Sequence, residues 1–409
     1  MDDGRGARLR NVGRLLRREG MKKIGVILSA GPGGGVQQYS QAIVDAVAAL
    51  PASYDVVAAV SDSSWEGTLP SRMRVVQLKD SLWNRGLNRA WHVSGLSVAA
   101  WRRLFSRFDS SMRAIENEKC DLWICPNHDR YSFRVPIRAL GTVHDLMHRY
   151  ESRFPEVSEN GEFESREFHF SETCKWSRGV LVDSELGRRQ LVESYGIAPQ
   201  NVFVLPYIAP SYIYESSPSD EEAVRKKYSL PEKFLFYPAQ FYLHKNHANL
   251  IAAVARLRDA HPDVRLVLVG WKDRNSYADV VAQVRGLGLE DNVIFLGYAP
   301  DADMAGLYRA ARALVMPTYF GPTNIPQLEA FALGCPVATS RIYGIPEQVG
   351  DAALLFDPSS VDEIYEAIER LWTDDALCAE LARKGREHAA KWGRPQFRAR
   401  LAEIVEQLA

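Results

Sequence analysis

The sequence alternates short apolar runs with longer segments of helical spacing, and this alternation limits the possible folds most strongly. Seven apolar runs lie in the first half, at 24–29, 56–60, 74–78, 122–125, 140–143, 179–182 and 202–205. Six more lie in the second half, at 234–237, 264–269, 293–296, 313–316, 337–339 and 353–356. Strands that alternate with helices form mostly parallel sheets with right-handed crossovers. The sequence therefore predicts an α/β protein with two doubly wound sheets.

The domain boundaries follow from composition. Residues 208–232 are rich in Pro and Ser and include a polar helix, which is typical of an interdomain hinge. We expect an N-terminal domain over 21–207 and a C-terminal domain over 233–391, with a last helix at about 392–409 that packs back on the N-terminal domain. Residues 1–20 carry six arginines without the apolar segment of a signal peptide. We expect a disordered basic extension there, and the alternative is an arm that contacts anionic lipid.

Charge and cysteine content exclude several classes of protein. The chain has 409 residues with 50 basic and 51 acidic side chains, whereas a nucleic-acid-binding protein usually carries a basic excess. The five cysteines form neither a CxxC pair nor a cluster with histidine, so we expect reduced thiols and no metal site. No apolar run reaches the length of about 18 residues that a transmembrane helix needs. We therefore expect a cytoplasmic protein without a nucleic-acid partner.

Residues 83–113 combine three tryptophans with six arginines. A basic amphipathic helix that carries tryptophan can lie on a membrane surface, here the inner face of the cytoplasmic membrane. The alternative is one long surface helix whose tryptophans face the core. The sequence leaves both interpretations open.

A glycine-rich segment, residues 31–35, follows the first predicted strand and precedes a helix. Glycines let backbone amides approach a phosphate, and a helix N-terminus attracts negative charge. The segment lacks the third glycine of a dinucleotide fingerprint and the lysine of a P-loop. It predicts that a diphosphate approaches the backbone at Gly34 and Gly35, or that the chain only makes a tight turn there.

Two post-strand loops in the second half carry further polar residues. Lys245 lies near a helix start, where it can neutralise a diphosphate, although a single lysine is more often only solvated. In the second loop a helix begins near Asn324 and Ile325, and we expect their free backbone amides to bind a phosphate. Glu329, about one turn into this helix, can accept hydrogen bonds from two ribose hydroxyls. Both loops are therefore candidate phosphate and nucleotide sites.

These motifs, in this order, resemble those of retaining glycosyltransferases of family 4, the glycosyl transferases group 1, which have the GT-B fold. The family pattern Glu-Gly-Phe-Gly-Leu-Pro-x-x-Glu-Ala is matched in part. The matching residues are Pro326, Glu329 and Ala330, followed by Gly334, Pro336 and Val337, and then Gly344, Pro346 and Glu347. The loop at 321–324 is similar to that of a bacterial mannosyltransferase subgroup of surface-polysaccharide synthesis.

The resemblance implies two Rossmann-like domains that face each other across a cleft. It implies transfer of a hexose, with mannose favoured, from a GDP- or UDP-sugar to a hydroxyl of a glycan or lipid-linked acceptor, without metal or cofactor. His144 and Lys245 are the implied catalytic residues. The implied donor-binding residues are Gly34, Gly35, Gln240, Lys245, Tyr298, Thr323, Asn324, Ile325 and Glu329.

Two positions depart from the family pattern. The first glutamate of the family's pair, which faces the transferred sugar, would stand at Gly321, so its role is vacant or has moved to Thr323 or Asn324. The arginine that precedes the phosphate lysine is also missing, and Gln240 is the nearest substitute. Two alternatives stay open: a nucleotide-sugar epimerase or phosphorylase on the same fold, and a non-catalytic nucleotide-sugar-binding protein, which these losses favour.

Asp301 and Asp303 match the pattern of an Asp-x-Asp metal-binding motif. Because they precede the helical spacing of Met304, Leu307 and Tyr308, we expect them to cap a helix instead. We therefore expect no metal site there.

Overall fold

A computed structural model describes residues 21–29, 34–65, 67–79, 81–104, 106–217, 220–272 and 276–409. The expectations for residues 1–20 and for the first three residues of the glycine-rich segment lie outside these described residues.

The first sheet is entirely parallel and has seven strands. They are β1 (Lys22–Leu28), β2 (Tyr54–Val60), β3 (Arg74–Gln77), β4 (Leu122–Ile124), β5 (Ala139–Thr142), β6 (Gly179–Val182) and β7 (Val202–Val204). Their spatial order is β3-β2-β1-β4-β5-β6-β7. The central strands are buried on both faces because helices cover both sides of the sheet, which explains their continuous apolar runs.

The second sheet is also parallel and has six strands. They are β8 (Leu235–Pro238), β9 (Leu266–Val269), β10 (Val293–Gly297), β11 (Ala313–Met316), β12 (Val337–Ser340) and β13 (Ala353–Phe356). Their order is β10-β9-β8-β11-β12-β13. The predicted class, α/β with two doubly wound sheets, is therefore confirmed.

The helices of the first half are α1 (Gly34–Ala48), α2 (Leu82–Ser94), α3 (Val98–Leu104), α4 (Ser110–Asn117), α5 (Tyr131–Arg134), α6 (Met147–Tyr150), α7 (Pro155–Ser158), α8 (Glu162–Trp176) and α9 (Glu185–Tyr195). Those of the second half are α10 (Ser211–Glu215), α11 (Asp220–Tyr228), α12 (His247–Ala260), α13 (Tyr277–Gly286), α14 (Asp301–Ala310), α15 (Ile325–Leu333), α16 (Ile345–Val349), α17 (Val361–Thr373), α18 (Asp375–Lys391) and α19 (Arg394–Leu408). The last of them, α19, contacts α1, and its buried side chains belong to the core around β1.

The tryptophan-rich segment 83–113 does not form one long helix. Gly95 ends α2 in the left-handed conformation with a φ of 63°, and the chain continues into α3 and α4. Trp91 and Trp101 face the core, with ring centroids 5.6 Å apart, whereas Trp83 is 65% exposed. The interpretation of core-facing tryptophans is therefore correct for two of the three and wrong for Trp83.

The described helices include none that is both long enough and apolar enough to cross a membrane.

Candidate functional site

A cavity of about 410 Å³ lies between the two sheets, in the size range of small-molecule sites. It is bounded mainly by loops and helix starts that follow strands, where parallel α/β sheets usually bind ligands. All of the site residues predicted from the sequence line it: Gly34, Gly35, His144, Gln240, Lys245, Tyr298, Thr323, Asn324, Ile325 and Glu329. The structure thus brings together residues from both halves of the chain, while their individual roles stay predictions.

Lys245 is a partly buried cation in this cavity. No residue in the described ranges accepts a hydrogen bond from its Nζ. Burial lowers the pKa of Lys245 to about 8, and the nearby carboxylates of Asp145 and Glu156 act in the opposite direction. A cation whose donors are uncommitted can bind an anionic ligand that enters the cavity.

The start of α15 differs from the sequence expectation. The backbone amide of Asn324 donates to Gln348 Oε1 at 2.9 Å, and Gln348 Nε2 donates back to the carbonyl of Asn324 at 2.6 Å. The prediction of a free amide at Asn324 is therefore wrong, because a side chain that follows a later strand already satisfies it. Pro326 has no amide hydrogen, so Ile325 supplies the candidate phosphate-binding amide.

Glu329 is buried, and a tyrosine hydroxyl contacts each of its carboxylate oxygens. Tyr308 donates to Oε2 at 2.5 Å, and Tyr212 donates to Oε1. Burial raises the pKa of Glu329, while both tyrosines lower it. An ionised carboxylate has about four acceptor positions, so each oxygen retains capacity for a ribose hydroxyl. Neither tyrosine was predicted from the sequence as a site residue, and Tyr212 lies in no motif that would have revealed it.

Backbone geometry explains the departure at Gly321. Its φ is +97°, a conformation that side chains rarely adopt, and a Cβ there would lie 3.0 Å from both Thr323 O and Asn324 Nδ2. The loop therefore cannot carry the glutamate of the family pattern without strain. Thr323 instead donates from Oγ1 to Asp183 of the other half of the chain, and Asn324 Nδ2 donates to the carbonyl of Phe320 at 3.3 Å.

His144 is buried, and both ring nitrogens have protein partners. Nε2 lies 2.9 Å from the carbonyl of Pro126, which only accepts, so Nε2 carries the hydrogen. Nδ1 then accepts from the hydroxyl of Tyr207 at 2.9 Å. Burial lowers the pKa of His144 to about 4, so the ring is neutral at pH 7. In this arrangement His144 has no free nitrogen with which to act as a base.

The rim of the cavity carries an exposed aromatic pair. Tyr298 stacks on Trp271 with ring centroids 4.7 Å apart and an interplanar angle of 17°. The Trp271 amide donates to Gln240 Oε1 at 3.1 Å, which fixes the position of Gln240 next to this pair. Trp271 was not predicted from the sequence, although its position directly after β9 and Gly270 was a usable signal. Such a pair offers a flat surface to a planar ligand.

Asp301 and Asp303, which match the Asp-x-Asp pattern, lie in the first turn of α14. The N-cap residue is Pro300, so the expectation of an aspartate cap is wrong. Asp301 accepts from Gln38 of α1 at 2.7 Å, and Asp303 pairs with Lys227 at 2.5 Å. Across the ranges that the structure describes, no group of three or more His, Cys, Asp or Glu residues is arranged to hold a metal ion.

Comparison with known proteins gives consistent matches. Residues 220–388 match the family model described as "Glycosyl transferases group 1". The chain is 30% identical over 247 residues to O-antigen chain mannosyltransferase B of Escherichia coli, and the aligned region covers 58% of this chain and 62% of the relative. It is 28% identical over 217 residues to 2-deoxystreptamine glucosyltransferase of Streptomyces kanamyceticus, which covers 52% and 56%. The chain thus matches between half and two thirds of the length of these relatives.

Solved structures match over nearly the whole chain. Anabaena HepE, solved in complex with UDP and glucose, superposes with a TM-score of 0.73 at 17% identity, covering 95% of this chain and 100% of that chain. Sucrose-phosphate synthase from Thermosynechococcus elongatus gives a TM-score of 0.72 at 20% identity, covering 95% and 99%. At these identities the likeness concerns the fold alone.

Proposed function

We propose that the chain is a glycosyltransferase that uses a nucleotide-diphosphate sugar, because residues 220–388 match the glycosyl transferases group 1 family model and the chain has the GT-B fold. The observation that carries the proposal is the composition of the interdomain cavity. It combines the amino group of Lys245, which donates no hydrogen bond to a described residue, with the start of α15, the buried carboxylate of Glu329 and an exposed aromatic pair. The cation and the helix start suit a diphosphate, the carboxylate suits a ribose, and the aromatic pair suits a base.

The donor would lie mainly against the C-terminal half. Lys245 and the amide of Ile325 would bind the diphosphate, Glu329 would accept from the ribose, and the Tyr298–Trp271 pair would stack on the base. The transferred sugar would then face Thr323, Asn324 and His144. Gly34 and Gly35 would border the donor from the N-terminal half, and the acceptor would approach from that half.

We propose a retaining reaction in which this chain's groups act mainly by electrostatic stabilisation. The bond between the anomeric carbon and the diphosphate oxygen breaks, and the acceptor oxygen bonds to the same face of that carbon. The acceptor proton passes to the leaving diphosphate, because His144 has no free nitrogen to take it. Lys245 stabilises the charge that develops on the diphosphate, and we propose that no metal or cofactor is needed.

The finer assignments rest on the relatives. Similarity to a mannosyltransferase supports a hexose, with mannose favoured, and a GDP- or UDP-sugar as donor. The same similarity supports a glycan or lipid-linked acceptor in bacterial surface-polysaccharide synthesis. We propose that this synthesis takes place in the cytoplasm.

A transfer assay tests the function. The purified protein would be incubated with UDP- and GDP-sugars, with and without a lipid-linked or glycan acceptor, and nucleoside diphosphate release would be measured. We expect release that depends on the acceptor. Conversion without an acceptor would instead support an epimerase or phosphorylase. Binding of a nucleotide sugar without any turnover would support a non-catalytic binding protein.

We also propose that α2 contacts the inner face of the cytoplasmic membrane. Its solvent side carries three large apolar side chains, which is unusual for the surface helix of a soluble domain. Leu82, Trp83 and Val93 are 81%, 65% and 88% exposed, whereas Asn84 and Asn88 are buried. Leu82, Trp83 and Val93 belong to none of the core clusters of the described residues, whereas Trp91 on the opposite side of α2 packs in the core.

Two arginines give this contact a preference for anionic lipid. Arg85 and Arg89 are exposed and lie three and seven positions after Leu82, on the same side of the helix. We expect the protein to float with vesicles of phosphatidylcholine that contain phosphatidylglycerol, and less with phosphatidylcholine alone. The double variant Leu82→Ser with Val93→Ser should lose most of this binding. Leu287→Ser, at a 39% exposed position after α13, is the control and should keep it. Wild-type protein that stays unbound would contradict the contact.

A further inference from the structure

The loop that faces the transferred sugar is linked to a carboxyl group from the other half of the chain. Asp183 follows β6 and is 3% exposed. Its Oδ2 accepts from Thr323 Oγ1, and its Oδ1 accepts from Ser184 Oγ at 3.1 Å. Thr323 in turn lines the donor cavity, whereas Asp183 lies behind it. The contact therefore joins the two halves of the chain directly beside the proposed sugar position.

This bond changes what the threonine hydroxyl can do. A hydroxyl has one hydrogen to donate and two lone pairs that accept. When Asp183 takes the hydrogen, only the lone pairs of Thr323 Oγ1 remain for a ligand. The threonine then behaves as an acceptor alone, which is also the behaviour of an ionised carboxylate.

We propose that Asp183 is a positioning residue that makes Thr323 an acceptor for a hydroxyl of the transferred sugar, in place of the carboxylate that Gly321 cannot carry. The proposal rests on the proposed function, because it assigns a partner within the same site. Asp183 acts through Thr323 and does not itself contact the sugar.

The surroundings of Asp183 fit this role at mildly alkaline pH. Burial raises the pKa of Asp183 to about 7, while the hydrogen bonds from Thr323 and Ser184 lower it. The nearby Asp145 raises it further, and Tyr39 and Tyr207 are the other titratable groups that interact with it. At pH 8 the carboxyl is mostly ionised and can only accept, so Thr323 must donate to it.

Calorimetric titration at pH 8 separates the sugar contact from the nucleotide contact. The ligands are UDP, GDP, UDP-glucose and GDP-mannose, and the variants are Thr323→Val, which keeps the shape, and Asp183→Ala. We expect each variant to lower the affinity for the nucleotide sugar by about threefold to tenfold, the range for one lost hydrogen bond. The affinity for the bare diphosphate should fall by less than about twofold. The double variant should lose no more than either single variant, because both act through one hydrogen bond.

Tyr343→Phe is the matched control. Tyr343 donates to Glu151 Oε1 at 2.6 Å, so this variant also removes a hydrogen bond between the two halves, but outside the cavity. We expect it to leave the affinities for the diphosphate and the nucleotide sugar in their wild-type ratio.

Three results would overturn the inference. An equal loss for diphosphate and nucleotide sugar in Thr323→Val would show that Thr323 only shapes the loop. Unchanged affinities would show that it does not contact the sugar. If the wild type binds a diphosphate and the corresponding nucleotide sugar with equal affinity, no residue of the site contacts the sugar, and the inference is also wrong. If the wild type binds no nucleotide at all, the proposed function is wrong as well.

Discussion

His247 lies at the start of α12, two residues after Lys245, and is buried among aromatic rings. Its ring stacks on Phe241 with centroids 4.6 Å apart, and neither ring nitrogen has a hydrogen-bond partner among the described residues. Burial lowers the pKa of His247 to about 3, and the charges of Lys245 and His244 act in the same direction. A protonated imidazole is therefore strongly disfavoured in the folded protein.

This predicts a measurable pH dependence of stability. The pKa of His247 is about 3 in the folded chain and about 6.5 in the unfolded one, so its stabilising effect is complete above pH 6.5 and is lost as the pH falls. Urea unfolding at pH 7 and pH 5 should show that His247→Leu removes about 2 kcal/mol of the acid-induced loss. If the variant and the wild type lose the same free energy between these pH values, the burial argument is wrong.

Glu329 gives a prediction about ribose. Glu329→Gln keeps the shape of the side chain but removes its charge and one acceptor oxygen. We expect nucleoside diphosphate binding to weaken by about 1.5–3 kcal/mol, the range for hydrogen bonds to a charged group. The 2′,3′-dideoxy analogue should lose much less, because it has no ribose hydroxyls to donate. Equal losses for both ligands, measured by calorimetry, would mean that Glu329 only holds Tyr212 and Tyr308 in place.

The loop before α15 depends on Gly321, and this dependence belongs to the scale of the element. A Cβ at this position combines a φ of +97° with two contacts at 3.0 Å. Gly321→Ala should therefore lower the free energy of unfolding by about 1–3 kcal/mol, and Gly321→Glu should also impair donor binding.

Gly86 provides the matched control for this substitution. It lies inside α2, its φ is not positive, and a Cβ there would meet nothing within 4 Å. Gly86→Ala should leave stability unchanged or raise it, because alanine favours the helix. Thermal unfolding of both variants would decide the matter: a Gly321→Ala protein as stable as the wild type would show that the loop tolerates a side chain.

Elements with a strong apolar signal were predictable from the sequence, and their ends were less so. The ends of all thirteen strands differ from the prediction by at most two residues. For the central strands the reason is that a strand buried on both faces must be apolar throughout. The break at Gly95 and the first turn of α14 were mispredicted. A helix end depends on individual backbone conformations, and a pattern of apolar residues does not report them.

At the scale of the whole molecule, α19 is separated from β1 by most of the sequence yet lies in the same core. Leu401 is fully buried there, whereas Glu406 on the same helix is exposed. Leu401→Ala should lower the free energy of unfolding by about 2–5 kcal/mol, the usual cost of removing a buried leucine. Glu406→Ala should change it by less than about 0.5 kcal/mol. Similar small effects for both, measured by urea unfolding, would show that α19 is not part of this core.

The gathering of the predicted site residues was foreseeable, but their partners were not. Lys245 and Glu329 lie in local motifs, and the carboxyl ends of parallel strands meet along one edge of each sheet. Tyr212 on Glu329 and Asp183 on Thr323 are contacts between segments 117 and 140 residues apart. The first contact depends on how α10 packs against α15 and the second on how the two halves are docked, and neither Tyr212 nor Asp183 carries a local sequence signal.

Binding of a nucleoside diphosphate to Lys245 tests the central claim most directly. Calorimetry with UDP and GDP would compare wild type, Lys245→Ala and the control Lys226→Ala, an exposed lysine on α11. We predict that at least one of the two diphosphates binds, and that it binds to the wild type and to the control with equal affinity. Lys245→Ala should weaken this binding by about 1.5–3 kcal/mol and leave the thermal stability unchanged. Equal affinity in Lys245→Ala, or no binding of either diphosphate by the wild type, would contradict the account.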